Sequence, residues 1–302
     1  MTDAHDSSAD PEGADPISNW GRWGADDERG CLNYITPDVR AAAVAEARTG
    51  RFVSLARPID PLPLAGGPLA TTTTKAPAPV THAMTYTGFP PPALTDILTI
   101  NTHHAELTHI DAFGHMPVDG KVYPGIPVGD VADSQGLHRS STTAFASGIL
   151  TRGVLADLAP GGALPPGHPV TGADLDRALA RQNTRARPGD ALVVRCGWDL
   201  PASSGRPTPG MTVDAVTWMH RNQVSVYLGD IGDAHPPVDP TLPFPLHRIG
   251  LARLGLPLVD AVAVDELAEA CAELERYQFL LVIAPIPVPR ATGVPVAPLA
   301  VF

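Results

Sequence analysis

Residues 101–125, NTHHAELTHIDAFGHMPVDGKVYPG, hold four of the chain's 11 histidines: His103, His104, His109 and His115. Glu106, Asp111 and Asp119 stand among them. Imidazole and carboxylate in one stretch suit a divalent transition metal, zinc or manganese first. In an extended segment His109 and Asp111 point to the same face, because side chains alternate with a period of two, and both then reach one ion. His115, four residues on, can orient a ligand or carry a proton. Tyr123 follows an Asp-Gly turn at Asp119-Gly120 and can donate a hydrogen bond to a substrate or pack as a buried ring. Histidine clusters also form polar surface patches or hydrogen-bonded core positions, so the surrounding pattern has to decide.

Residues 94–101, LTDILTIN, read as the strand that delivers this stretch. Upstream, Thr36-Pro37 has the form of a helix cap followed by proline at the first helical position, with Gly50 as the stop. Residues 52–55 read as a short strand. The second half alternates more regularly. Strands are predicted at 148–156, 191–198, 224–228, 256–264 and 277–284, with helices after Thr171, after Thr212, around His247 to Leu254 and from Asp265. This is the pattern of a mixed α/β core. Residues 57–93 are proline-rich and long enough to be a lid, an arm, a subunit contact or an ordered surface loop, with a strand expected at Thr71 to Thr74. Residues 1–18 read as a disordered acidic tail in which His5 is idle, and 19–302 as a single domain. The closing residues 285–302 form a proline-rich run.

Composition narrows the function. The chain has 302 residues, 44% hydrophobic and 18% charged, enough for a sizeable core. A net charge of −11 leaves no basic footprint for nucleic acid and repels anionic membranes. No apolar run reaches transmembrane length, and the N-terminus lacks a signal-peptide pattern. Cys31, Cys196 and Cys271 are scattered and odd in number, which fits a reducing cytoplasm. No dinucleotide, P-loop or nucleophile-elbow motif occurs.

Thr108, His109, Asp111 and His115 resemble, in order and spacing, the H-x-G-T-H-x-D-x-P-x-H pattern of the cyclase-like metal-dependent hydrolases, which include kynurenine formamidase (arylformamidase) and isatin hydrolase. Three positions depart: Ala105 for the first histidine, Leu107 for glycine and Phe113 for proline. Ala105 cannot bind a metal; His104, one place earlier, or Glu106 are the substitutes at hand. His103 shares parity with His109, but a straight strand would separate them by roughly 20 Å. The similarity extends over the opening NWGRWGADDERGCLNYITPD, the segment GDALVVRCGW, Trp218 and its surroundings, and the closing PIPVPRATGVPVAPLAVF, as in the longer bacterial branch of the family. It implies a mixed-sheet swivelling β/β/α fold and a homodimer or homotetramer. It also implies a later histidine, matched by His247, and a later acid, near which Asp260 falls, as further metal ligands. Asp230, Asp233 and His235 make another polar cluster at a strand end.

The function that the resemblance implies is metal-dependent hydrolysis of an amide, formamide, lactam or lactone in a small molecule. His109, Asp111, His104, His247 and Asp260 would hold zinc or manganese, and His115 and Tyr123 would act on the substrate. Two alternatives follow from Ala105: a cyclase, dehydratase or isomerase with an altered or absent metal site, and a non-catalytic binding protein on the same fold.

Overall fold

Apolar runs in the second half of the chain make the centre of the fold. The computed structural model describes residues 17–59, 62–63, 79–86, 88–199 and 205–302. Among these, nine strands form one mixed sheet: β1 (Phe52–Ser54), β2 (His109–Asp111), β3 (Ile149–Asp157), β4 (Ala191–Arg195), β5 (Val226–Gly229), β6 (Leu258–Asp260), β7 (Gln278–Ile283), β8 (Gly293–Pro295) and β9 (Leu299–Val301). Their order is β1-β9-β7-β3-β4-β5-β6-β2-β8. Strands β3 to β6 run parallel, and the remaining pairs are antiparallel. The parallel strands are covered on both faces, so they read as continuous apolar runs rather than alternating ones. This is the mixed α/β fold expected from the sequence.

The helices that cover the sheet start where their caps sit. Thr36 accepts a hydrogen bond from the Val39 amide at the head of α1 (Pro37–Val44). Thr171 and Asp174 form a reciprocal cap on α2 (Gly172–Arg181), and Thr212 caps α3 (Val213–Arg221). Helix α4 (Asp265–Glu273) opens on two acids. Helix α1 ends at Val44, short of the expected stop at Gly50, because the amides of Thr49 and Gly50 are taken by the carbonyl of Phe302. Residues Leu246–Leu254 form a wider, π-type helix that ends at Gly255 in the left-handed region, φ +65°.

Two parts differ from expectation. Strand β6 stops at Asp260, because Ala261 turns into the left-handed region at φ 55°. The closing residues are not a plain proline-rich run: β8 flanks β2, and β9 lies between β1 and β7.

A hairpin joins the proline-rich region to the strand expected at 94–101. Val80–Thr85 pairs antiparallel with Thr95–Ile100 and parallel with Leu62–Pro63. Every side chain of Thr95–Ile100 is exposed, Ile97 by 58% and Leu98 by 55%. The strand expected at 71–74 and the tail residues 1–16 lie outside the described residues. Ile17 packs on the core, and Ser18 and Asn19 bond to the carbonyls of Arg253 and Leu254. No helix among the described residues is long and apolar enough to cross a membrane.

Candidate metal centre

Strand β2 is three residues long, and its period of two decides the site. Ile110 is fully buried in the core, which turns His109 and Asp111 to the opposite face. Strand β6 places Asp260 beside His109, and β8 places Gly293 beside Asp111. His109 faces Asp111, with Nε2 3.4 Å from Oδ1. Its other ring nitrogen, Nδ1, donates to the Leu107 carbonyl at 2.7 Å, so Nε2 keeps its lone pair.

His103, not His104, completes this group. Residues 101–107 fold into turns, with the His104 amide on the Asn101 carbonyl and the Leu107 amide on the His104 carbonyl. The straight-strand separation of roughly 20 Å therefore does not apply, and His103 Nδ1 stands 2.9 Å from Asp111 Oδ1. Thr292 Oγ1 holds the opposite nitrogen of His103 at 2.9 Å. Gly293 makes room for that ring: a Cβ there would lie 2.7 Å from His103 Cε1. His104 Nδ1 instead accepts the Glu106 amide at 3.2 Å.

A second group forms on the other oxygen of Asp111. His247, on the first turn of the π-type helix, has Nε2 3.3 Å from Asp111 Oδ2 and 3.6 Å from Asp260 Oδ2. Asp233 Oδ2 lies 2.7 Å from His247 Nδ1, and the same carboxylate accepts the amides of Leu246 and His247. His115 joins this side with its ring stacked on His103, centroids 3.7 Å apart.

Ligand atoms of His103, His109 and Asp111 lie within 4.8 Å of one another, and so do those of Asp111, His115 and His247. Asp111 is common to both groups. Both its oxygens, together with His103 Nδ1 and Asp260 Oδ1, are buried without a hydrogen-bond partner. Unpaired buried polar atoms are costly. A divalent cation between them would satisfy the set, and imidazole plus carboxylate is the donor chemistry zinc or manganese takes.

Protonation follows the geometry. Burial pushes Asp111 up, but its contacts with His103, His109 and His247 outweigh this and hold it well below the usual carboxylate range. Burial pulls His109 and His247 down; Asp111 outweighs it for His109, and Asp111, Asp233 and Asp260 for His247, so both end above an ordinary imidazole. His115 goes the other way. Burial lowers it to about 4, which leaves it neutral near pH 7.

These residues line a cavity of about 310 Å³, with Met116, Ile231 and Phe244 among its apolar walls. Ala105 lines it as well. Of the expected site residues, the fold brings together His109, Asp111, His115, His247 and Asp260. Tyr123 stays outside. It is fully buried, packs on Phe113 and donates to Asp27 Oδ2 at 2.7 Å, because its turn leads into the core rather than towards the cavity. Of the other polar cluster only Asp233 reaches the cavity. Asp230 is buried on the amides of Cys196 and Trp198, and His235 is exposed. Cys196 is buried with its thiol pushed well up, so it offers no nucleophile.

The model of a family described as putative cyclase matches residues 53–234. The chain belongs to the cyclase family. A solved structure described as a novel cyclase is 31% identical, covering 95% of this chain and 100% of its own, with a TM-score of 0.80. This places the chain in the cyclase-like metal-dependent hydrolase superfamily. Isatin hydrolase A from Labrenzia aggregata, bound to benzyl benzoate, is 20% identical over 83% of this chain and 93% of its own, TM-score 0.61. Isatin hydrolase A from Ralstonia solanacearum is 21% identical over 88% and 98%, TM-score 0.58. The two hydrolases share the fold with this cyclase-family chain. Comparison with curated proteins found no match.

Proposed function

We propose that this chain is a metal-dependent hydrolase that cleaves an amide, formamide, lactam or lactone in a neutral small molecule. The observation that carries the reading is Asp111: one buried carboxylate with two unpartnered oxygens, each facing its own set of imidazoles. His103, His109 and Asp111 would hold one divalent ion, zinc or manganese; Asp111, His247 and Asp260 would form a second position. His103 supplies the imidazole that Ala105 lacks, which weighs against the metal-poor and non-catalytic alternatives.

A bound ion would supply Lewis acidity, polarising the scissile carbonyl and acidifying water. The chain's residues do the rest. Neutral His115 accepts the proton of the attacking water and returns it to the leaving nitrogen or oxygen as the acyl bond breaks. Asp233 fixes the His247 tautomer. Met116, Ile231 and Phe244 keep bulk water from the reacting face. Among the described lining residues there is no lysine or arginine to pair with an amino-acid carboxylate. An uncharged substrate therefore suits the cavity better than formylkynurenine, although an arylformamidase-like cleavage of a neutral aryl formamide fits. The isatin hydrolases' fold supports the lactam option in the same way.

Self-association belongs to the same reading. The hairpin strand Thr95–Ile100 shows apolar side chains on both faces, and a sheet so exposed is stable only when covered. A second copy of this chain, in a homodimer or homotetramer, is the partner we infer. The three free, buried cysteines fit a cytoplasmic location.

The deciding experiment is elemental analysis of protein purified without a metal-affinity tag, followed by a screen of neutral amides, lactams and lactones. At least one equivalent of zinc or manganese, lost in Asp111→Ala, is expected. Protein that refuses both ions overturns the reading.

A further inference from the structure

Beside the main cavity lies a smaller one of about 40 Å³. Met211, Val213, Ala234, Val238 and Leu242 give it apolar walls, and it shares one residue with the main cavity: Phe244. The two spaces are close in sequence as well. Ala234 follows Asp233, and Pro245 precedes Leu246 and His247. Phe244 thus lines both the main cavity and a mostly apolar recess, to which Thr212 and Asp239 also contribute.

The backbone at this shared residue is unusual. Phe244 sits at φ 56°, in the left-handed region that a bulky aromatic residue seldom adopts. The Phe244 carbonyl accepts the Arg248 amide at 2.8 Å, which ties this conformation to the helix bearing His247. Its ring is only partly buried, so core packing alone does not account for the position.

We infer that Phe244 sets the length of the apolar end of the substrate, and that the recess behind it is a subsite for a short alkyl or aryl substituent when the ring is moved or removed. The substrate class is then a neutral carbonyl compound with its reacting group at Asp111 and an uncharged, apolar tail pointing at residue 244. The inference rests on the main cavity binding the carbonyl end.

The test uses straight-chain hydroxamates from two to ten carbons, titrated calorimetrically into zinc-loaded full-length protein, wild type and Phe244→Ala. In the wild type, affinity should rise with chain length and then break. Each buried methylene is worth about 0.8 kcal/mol, or about fourfold. In Phe244→Ala the break should move outward by two or more carbons. Adding Val213→Trp, which fills the recess from α3, should bring the break back. Identical profiles in wild type and Phe244→Ala overturn the inference. If no hydroxamate binds the wild type, the carbonyl-binding reading fails by itself. The subsite is then decided by crystals of Phe244→Ala soaked with hexan-1-ol: an alkyl chain in the recess supports it, and an empty recess overturns it.

Discussion

Asp233 and His247 are held 2.7 Å apart, carboxylate to Nδ1, and the same carboxylate receives the two amides that open the helix carrying His247. One side chain therefore fixes both where the imidazole stands and which nitrogen carries its proton. Replacing Asp233 with Asn keeps the shape and loses the charge. The expected outcome is a fall of about 10- to 100-fold in zinc affinity, as for other partners of ligating histidines, read by competition with a chromophoric chelator. Unchanged affinity would mean that His247 is not a ligand.

His115 separates proton transfer from metal holding. His115→Ala should lower kcat by roughly 10²- to 10⁴-fold while the ion content stays at the wild-type level. Loss of the ion together with activity would move His115 among the ligands, where its distance from Asp111 and His247 also allows it to stand.

The same residue gives a pH dependence. In ion-free protein the folded-state pKa of His115, near 4, lies below the ordinary 6.5, with burial as its main cause. A depressed group contributes stability above its unfolded pKa. That contribution is therefore complete above about pH 6.5 and fades as pH falls towards 4. The NMR titration of the imidazole resonances should show one histidine, absent from His115→Gln, that protonates only near pH 4.

Gly293 should be intolerant of a methyl group. Its absent Cβ is what lets His103 approach Asp111, since the added atom would lie 2.7 Å from the ring and 3.1 Å from the Ile110 carbonyl. Gly293→Ala should weaken ion binding at the His103 side while leaving the far-ultraviolet circular dichroism unchanged. Wild-type ion affinity in that variant would remove His103 from the centre.

Deep in the sheet, Arg152 on β3 meets Asp190 with Nε 2.9 Å from Oδ1, both side chains buried. Removing one partner leaves the other charge uncompensated. Asp190→Ala should lose about 3–5 kcal/mol in urea unfolding, with the residual activity per folded molecule unaltered. A loss under about 1 kcal/mol would show that the pair behaves as a surface pair does.

The β2 part of the centre was legible because it depends on one local rule. A three-residue strand with Ile110 between two polar residues can bury only one face, and that fixes His109 and Asp111. Metal ligation by His247 and Asp260 was implied by resemblance; the fold places His247 beside Asp111, and Asp260 beside His109 and His247. His103 was out of reach because turns at 101–107 replace the straight strand, and no residue type there announces them. Tyr123 misled because a tyrosine after a turn looks the same whether the turn leads to a cavity or into the core. Asp233 was visible only as one of three polar residues; its partner amides come from residues 246 and 247. Strands β8 and β9 were hidden by prolines, which suit edges and short strands as well as loops.

Strand β8 has one more implication. His109 and Asp111 on β2 are made around residue 110, but the strand that flanks Asp111 and the hydroxyl that steadies His103 arrive with residues 292–295. A growing chain thus carries His109 and Asp111 long before it can enclose them, and the candidate centre closes only when residues 292–295 join the sheet.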